Sequence, residues 1–315
     1  MDNERTYYFV LSKNLINIYI NIVMIDYPNA ILKIDDLELA DNTKANLNSV
    51  LNKLKNNKIK NENKISNYLL SIKDETKGST YYSYVSAVLS LMTKDIIPKS
   101  KDYKKLQDNL KALKLIQDKN ISSAPSEKQA CHYIKLDELQ NRVAKITDIT
   151  DKLLLSLYVD IPPVRLDYGN ILIVDKFKDI PSQDDLQNYY AIRENTILLR
   201  DYKTKKIYDE YKYKLLPQHK TLIKKIIANT GQKYLFVNSK TNEPYNNNKF
   251  GIFLTSVLKK YFDKCLTLLD LRHIYASHYS LEKYGIDKVR EVAERMLHSV
   301  EENVLAYQKN YDGEN

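Results

Sequence analysis

The sequence predicts a mainly α-helical protein with a small antiparallel β-sheet, divided into two domains. Three observations carry that prediction. Apolar residues recur at helical spacing through residues 28–118. Residues 171–216 switch to short β-prone runs broken by turn residues. A polar stretch containing Pro125, residues 120–127 (NISSAPSE), separates two helical patterns and reads as a linker. The chain has 315 residues and 43% hydrophobic content, enough for two separate cores. We therefore expect an amino-terminal segment over 1–27, a helical domain over 28–120 and a mixed domain over 128–315.

In the first domain, Asp41-Asn42-Thr43 can cap a helix whose apolar stripe is Leu47, Val50, Leu51 and Leu54. A second helix is expected over 65–72. A third opens at Ser79 and Thr80 and carries Tyr84, Ala87, Val88 and Leu91 on one face, and a fourth covers 101–115. Lys53, Lys55, Lys58, Lys60, Lys94, Lys99 and Lys101 crowd the helix ends and turns, as a solvated face or as a basic edge for a polyanion.

In the second domain, 136–158 reads as one or two helices, ending in the apolar run Leu153-Leu154-Leu155 and stopped by Pro162-Pro163. Gly169-Asn170 is a turn before a strand at 171–174. Strands at 196–202 and 208–216 are joined as a tight hairpin through the lysines at 203–206. A helix follows Pro217, with Leu222, Ile223, Ile226 and Ile227 on one face and Gly231 past its end. Leu235-Phe236-Val237 is a short strand or core insert, and the remainder from 248 is helical.

Lys and Arg outnumber Asp and Glu by 49 to 40, a net charge of +9, which favours a polyanionic partner. Two cysteines, Cys131 and Cys265, make neither a zinc set nor a disulfide framework. The apolar stretch 15–24 is too short and too interrupted by Asn17 and Asn21 to span a membrane, and the acidic start of the chain is a poor secretory signal. A soluble, intracellular protein is expected.

Three segments stand out chemically. Arg272 lies in Leu269-Asp270-Leu271-Arg272-His273-Ile274-Tyr275, on a helix among apolar neighbours, and is either ion-paired or waiting for an anion. Ser299 and Glu302 fit a capping box, so a helix should begin at Ser299, with His298 just ahead of it facing a cleft. Tyr307 then lies about two turns on, roughly 12 Å by axial rise, a gap shortened by the backward lean of helical side chains. Arg165 follows a buried helix and the Pro162-Pro163 turn, a fixed cation or a partner for Asp167. With 26 tyrosines in the chain, Tyr307 carries no signal by itself, and only its spacing from the other groups singles it out.

Taken together, this set resembles the tyrosine recombinase (integrase) family. That family has an Arg after an apolar helix, a Lys in a following hairpin, an Arg on a late helix, a His or Trp, and a Tyr nine residues beyond it. Arg165, the lysines at 203–206, Arg272, His298 and Tyr307 occur here in that order, and 298 to 307 is an interval of nine. The resemblance covers roughly 125–311, and more loosely 28–118 as a core-binding domain. The Pro-Pro-Val-Arg turn and the Leu-His-Ser-Val phrase are most similar to recombinases of large DNA viruses, virophages and phages.

The resemblance implies a two-domain clamp on double-stranded DNA and strand cleavage and rejoining through a 3′-phosphotyrosine. Tyr307 would be the nucleophile and Arg165 and Arg272 would stabilise the charge on the phosphate. His298 would hydrogen-bond a non-bridging oxygen. Lys203, taken to close the strand from Thr196, would be the general acid, ahead of Lys205 and Lys206. His273 and Lys205 are assisting candidates, and Tyr311 is a fallback nucleophile. The family needs no metal, ATP or small-molecule cofactor, has no membrane role, and acts as a homo-tetramer on two DNA sites, with the carboxy-terminal tail docking on a neighbour. Only 308–315 follow the Tyr here, which limits any such exchange. Two positions depart from the pattern: Leu269 replaces a His three residues before Arg272, and Leu297 replaces a Gly before His298. The alternatives are a type IB topoisomerase, a DNA-binding relative without catalysis, and a basic helical protein that binds RNA or another protein.

Overall fold

Each predicted apolar stripe becomes the buried side of a helix. The computed structural model describes residues 24–119, 123–181 and 187–311. The chain divides into two compact units at residue 120.

The first unit holds α1 (Tyr27–Asp35), α2 (Asp41–Asn56), α3 (Asn63–Ser71), α4 (Gly78–Thr93) and α5 (Tyr103–Lys119). Leu47, Val50, Leu51 and Leu54 are all buried on α2, and Tyr84, Ala87, Val88 and Leu91 on α4, as 3.6-residue periodicity requires. They share one core with Ala30 and Ile34 of α1 and Ile65 and Leu69 of α3. Asp41-Asn42-Thr43 does not cap α2. The N-cap is Ala40, with no side-chain cap bond, and the three polar residues form the first turn. The seven lysines at the helix ends are exposed, and Lys99 meets Asp95 at 3.4 Å. Most of the amino-terminal apolar stretch lies outside the described residues.

The second unit opens with a short helix that the linker assignment overran. In α6 (Glu127–His132), Ser126 and Gln129 form a reciprocal capping box. The S-x-x-Q spacing was present in the sequence as a start signal. Two helices follow, α7 (Leu136–Ala144) and α8 (Ile149–Val159), and residues Leu153 to Val159 are buried without interruption. The sheet comprises β1 (Leu172–Val174), β2 (Tyr189–Ala191), β3 (Thr196–Leu199) and β4 (Tyr211–Lys214), in that order.

The sheet is mixed, not antiparallel throughout. β1 and β2 pair in parallel, whereas β2–β3 and β3–β4 are antiparallel. The strand missed in the sequence, β2, is three residues long and buried on both faces, so it shows no alternation. The expected tight hairpin is also longer. Residues 200–210 connect β3 to β4 and include the turn α9 (Lys205–Tyr208). Arg200 Nε meets Glu210 Oε1 at 2.6 Å, and Tyr202 Oη donates to Asp209 O at 2.6 Å, closing the base of that connection. Leu235 N donates to Ile171 O and Ile173 N to Lys233 O, each at 2.8 Å, so the Leu235–Val237 insert lies along β1.

α10 (Pro217–Thr230) ends on Gly231 at φ +65°, the left-handed cap that glycine permits. α11 (Asn247–Tyr261), α12 (Leu268–His278) and α13 (Leu281–Arg295) complete the core with α8. The last helix, α14 (Val300–Glu302), starts where Ser299 Oγ accepts from Glu302 N at 3.0 Å, and it runs on into a π-helical turn, Asn303–Tyr307.

Candidate active site

Four of the five principal residues singled out from the sequence lie on three walls of one region of the second unit. The first wall is the turn after α8. Pro162-Pro163 ends the helix, and Arg165 is held by its main chain: Tyr158 Oη donates to Arg165 O at 2.8 Å, and Arg165 N donates to Asp167 Oδ2 at 3.1 Å. Asp160 at the end of α8 is tied to buried His219 of α10 at 3.3 Å. The Arg165 side chain remains 23% exposed, with Glu302 Oε1 4.0 Å away, so the guanidinium stays accessible.

The second wall is α12. Arg272 is 2% exposed, and its donors go to Pro163 O, Met296 O and the Tyr307 hydroxyl, the last from Nε at 3.3 Å. Among the described residues no carboxylate lies within ion-pair distance of it. Burial pulls its pKa below the usual guanidinium value. A buried cation held by carbonyls rather than by a carboxylate keeps its charge free for an incoming anion.

The third wall is the chain from Leu297 to Tyr307. Leu297 adopts φ +59°, the left-handed conformation expected of the glycine it replaces. His298 is therefore not an open loop histidine. It is 2% exposed, and its ring stacks on Tyr307 with centroids 4.8 Å apart and planes 16° apart. The 12 Å axial gap closes because Gln308 N donates to Asn303 O at 2.9 Å, an i to i+5 bond that widens the turn and swings Tyr307 back. The Tyr307 ring also lies 4.8 Å from the Arg272 guanidinium carbon.

His298 Nδ1 faces Ser299 O at 3.2 Å, and Nε2 is buried with no hydrogen-bond partner among the described residues. Desolvation, then the positive charges of Arg272 and Arg165, lower the His298 pKa from 6.5 to about 4. Asp167, missed in the sequence as a member of the cluster, is 6% exposed, and burial raises its pKa from 3.8 to about 6 against the pull of both arginines. These shifts act oppositely on stability. Between about pH 6.5 and 4 the unfolded chain holds a proton on His298 that the folded chain does not, so acidification costs on the order of 3 kcal/mol. Between about pH 6 and 3.8 the folded chain holds a proton on Asp167 that the unfolded chain has lost, so acidification is stabilising there. Relative to the parent protein, His298→Gln should gain stability as pH falls from 6.5 to 4, and Asp167→Asn should lose it from 6 to 3.8. Denaturant unfolding across that range checks both, and parallel profiles for the two variants would contradict the assignment.

No protein-family model matches the chain, and no curated protein matches it. Solved structures do. The Tn1549 transposon integrase in complex with a circular intermediate DNA aligns with a TM-score of 0.55 at 13% identity, over 91% of this chain and 96% of that one. The lambda integrase tetramer bound to a Holliday junction aligns with a TM-score of 0.51 at 12% identity, over 94% and 80%. The chain has the fold of the tyrosine recombinases. At these identities the likeness is one of fold.

On the tyrosine-recombinase fold the departures take physical form. Leu269 is 54% exposed and puts no polar group into the cluster. His273 does not stand free as a substitute acid or base. Its Nδ1 meets Tyr307 O at 2.9 Å and its Nε2 meets Gln129 Nε2 at 3.2 Å. Lys203 does not close a strand, because β3 ends at Leu199. It is exposed in the turn ahead of α9, with Lys205 half-buried and Lys206 exposed. Thr204 between them donates its hydroxyl to Leu297 O at 3.1 Å, pinning the connection beside the turn that carries His298. Tyr311 stacks on Tyr133, 3.9 Å between centroids and 8° between planes, away from the arginines' hydrogen bonds. Residues 308–311 pack on their own unit, through Lys309 N to Ser277 Oγ and Asn310 N to Ser123 O, each 2.8 Å, and residues 312–315 lie outside the described part. Among the described residues no group of three or more His, Cys, Asp or Glu is placed to hold a metal ion, and no helix is long and apolar enough to cross a membrane.

Proposed function

We infer that the protein is a site-specific tyrosine recombinase or integrase that cleaves and rejoins double-stranded DNA through a 3′-phosphotyrosine. One observation carries this: Tyr307 contacts both Arg272 and His298, and Arg165, partly exposed and 4.0 Å from Glu302, stands on the adjoining turn. Tyr307 attacks the phosphorus as its phenol proton passes to water, and its ester keeps the energy of the broken P–O5′ bond for rejoining. Arg165 and Arg272 fork onto the non-bridging oxygens, where negative charge grows. Desolvation chiefly holds the His298 pKa down, and the arriving phosphodiester offsets the part that the two arginines add. The imidazole then takes a proton from water, and Nε2–H donates to a non-bridging oxygen.

Lys203 serves as general acid for the leaving 5′ oxygen, with Lys205 as the assisting group. The exposed lysines of the first unit line the DNA backbone in a two-domain clamp, with residues 28–120 as the core-binding domain and 128–315 as the catalytic domain. Four copies act on two DNA sites inside the cell. The Pro-Pro-Val-Arg turn and the Leu-His-Ser-Val phrase favour the recombinases of large DNA viruses, virophages and phages. Exposed Leu269 favours a second reading, a DNA-binding relative that has lost catalysis.

A nicked suicide substrate from the ends of the element that carries this sequence tests the two readings. A covalent adduct on the peptide containing Tyr307 is expected. A protein that binds that DNA and forms no adduct is the inactive relative. Lys203→Ala should slow adduct formation by about 10²–10⁴-fold. A substrate with sulfur at the 5′ bridging position should restore the rate, because a thiolate leaves without a proton. If Lys205→Ala shows this pattern instead, the role moves to Lys205.

A further inference from the structure

The short helix that follows the linker, α6, reaches the Tyr307 segment through His273. The capping box of α6 orients Gln129. Ser126 N donates to Gln129 Oε1 at 2.9 Å, which leaves the Gln129 amide nitrogen facing His273 Nε2 at 3.2 Å. His273 Nδ1 lies 2.9 Å from the carbonyl oxygen of Tyr307. A carbonyl only accepts, so Nδ1 carries the proton and Nε2 takes the hydrogen bond from Gln129. The two bonds select one neutral tautomer, and Gln129 meets it with the end of its amide that donates.

Neighbouring contacts tie the same two stretches together. His132 Nδ1 lies 3.3 Å from Asp270 Oδ2 at the start of α12. Tyr133 stacks on Tyr311, and Ser123 O accepts from Asn310 N. Residues 123–133 therefore hold the chain on the carboxy-terminal side of Tyr307, and Gln129–His273 reaches Tyr307 itself.

We propose that Gln129 and His273 form a latch by which the segment opening the second unit sets the position of Tyr307, with Gln129 the positioning residue. The main chain of Tyr307 has to place a phenol oxygen in line with a scissile bond, and a displacement of about 1 Å there costs roughly 10²-fold in rate. The latch requires neutral His273. The charged groups facing it are Asp270 and Arg272 on its own helix and Lys309 on the tail, and burial keeps its pKa below the ordinary value. The parent latch is therefore closed at neutral pH.

The latch rests on the recombinase reading for its chemical readout, so the experiment pairs that readout with one that needs no activity. Adduct formation on the suicide substrate and hydrogen exchange of peptide 303–311 are measured in the full chain for the parent, Gln129→Leu and Gln129→Glu. Gln129→Leu should slow adduct formation by about tenfold to a hundredfold at unchanged DNA affinity, with faster exchange in 303–311. In Gln129→Glu the carboxylate pairs with protonated His273 and not with the neutral lone pair. Its rate relative to the parent should therefore be near one at acidic pH, where His273 is protonated, and should fall as pH rises. A general packing defect would not reverse with pH. Parental rate and exchange in Gln129→Leu, or a Gln129→Glu ratio flat with pH, overturns the latch. Should Gln129→Leu not fold, the Gln129→Glu ratio decides. If the parent forms no adduct, the recombinase reading falls, and exchange in 303–311 judges the latch alone: a pH-dependent loss of protection in Gln129→Glu supports it, and none overturns it.

Discussion

Tyr307→Phe should abolish the covalent protein–DNA adduct and leave DNA affinity unchanged. The substitution removes one oxygen and keeps the ring, which is 8% exposed and packs on His298 and Arg272 with 4.8 Å separations. Among the described residues the bond lost is the 3.3 Å contact from Arg272 Nε, worth about 0.5–1.5 kcal/mol, so the second unit should stay folded. Tyr311, the fallback in the sequence, is stacked on Tyr133, and burial pushes its pKa up to about 12. Tyr311→Phe should accordingly leave the adduct intact. Gel separation of labelled substrate reads both variants, and an adduct that persists in Tyr307→Phe removes Tyr307 from the reaction.

Arg272→Lys should lower the rate of adduct formation by about 10²–10³-fold, the scale for losing one oxyanion donor. The exchange keeps the charge but not the fork. Arg272 contacts Pro163 O, Met296 O and Tyr307 Oη at once, bridging the Arg165 turn, the end of α13 and the Tyr307 segment. One ammonium cannot span three directions from a buried stem. Each carbonyl left unpaired costs about 1–3 kcal/mol, so the variant should also melt earlier. Arg142→Lys provides the contrast. Arg142 pairs with Glu138 one turn away and is 47% exposed, and its exchange should change stability by less than about 0.5 kcal/mol. Equal rates for Arg272→Lys and the parent would show that the buried guanidinium does not face the phosphate.

The helices were legible because burial follows period. Leu47, Val50, Leu51 and Leu54 could face one side only as a helix, and they do. Ser299 was legible for the same local reason, a cap whose partner lies three residues on. The order Arg165, Arg272, His298, Tyr307 and the interval of nine were also in the sequence, and they led to the fold that the solved integrases share. What the sequence alone could not decide depended on groups far apart along the chain. The parallel pairing of β1 with β2 depends on a connection that returns over a dozen residues, and a three-residue buried strand has no periodicity of its own. The stack of His298 on Tyr307 depends on a left-handed Leu297 and one i to i+5 bond, neither of which a straight-helix rise contains. The occupation of His273 by Gln129 and Tyr307 O joins residues 144 and 34 positions apart. Sequence by itself determined which faces are buried, because that follows from neighbours within two turns, and it nominated Arg165, Arg272, His298 and Tyr307 through their order and spacing. Only the tertiary structure decided which side chains meet and with what protonation, because desolvation and long-range hydrogen bonds arise only once the core has closed.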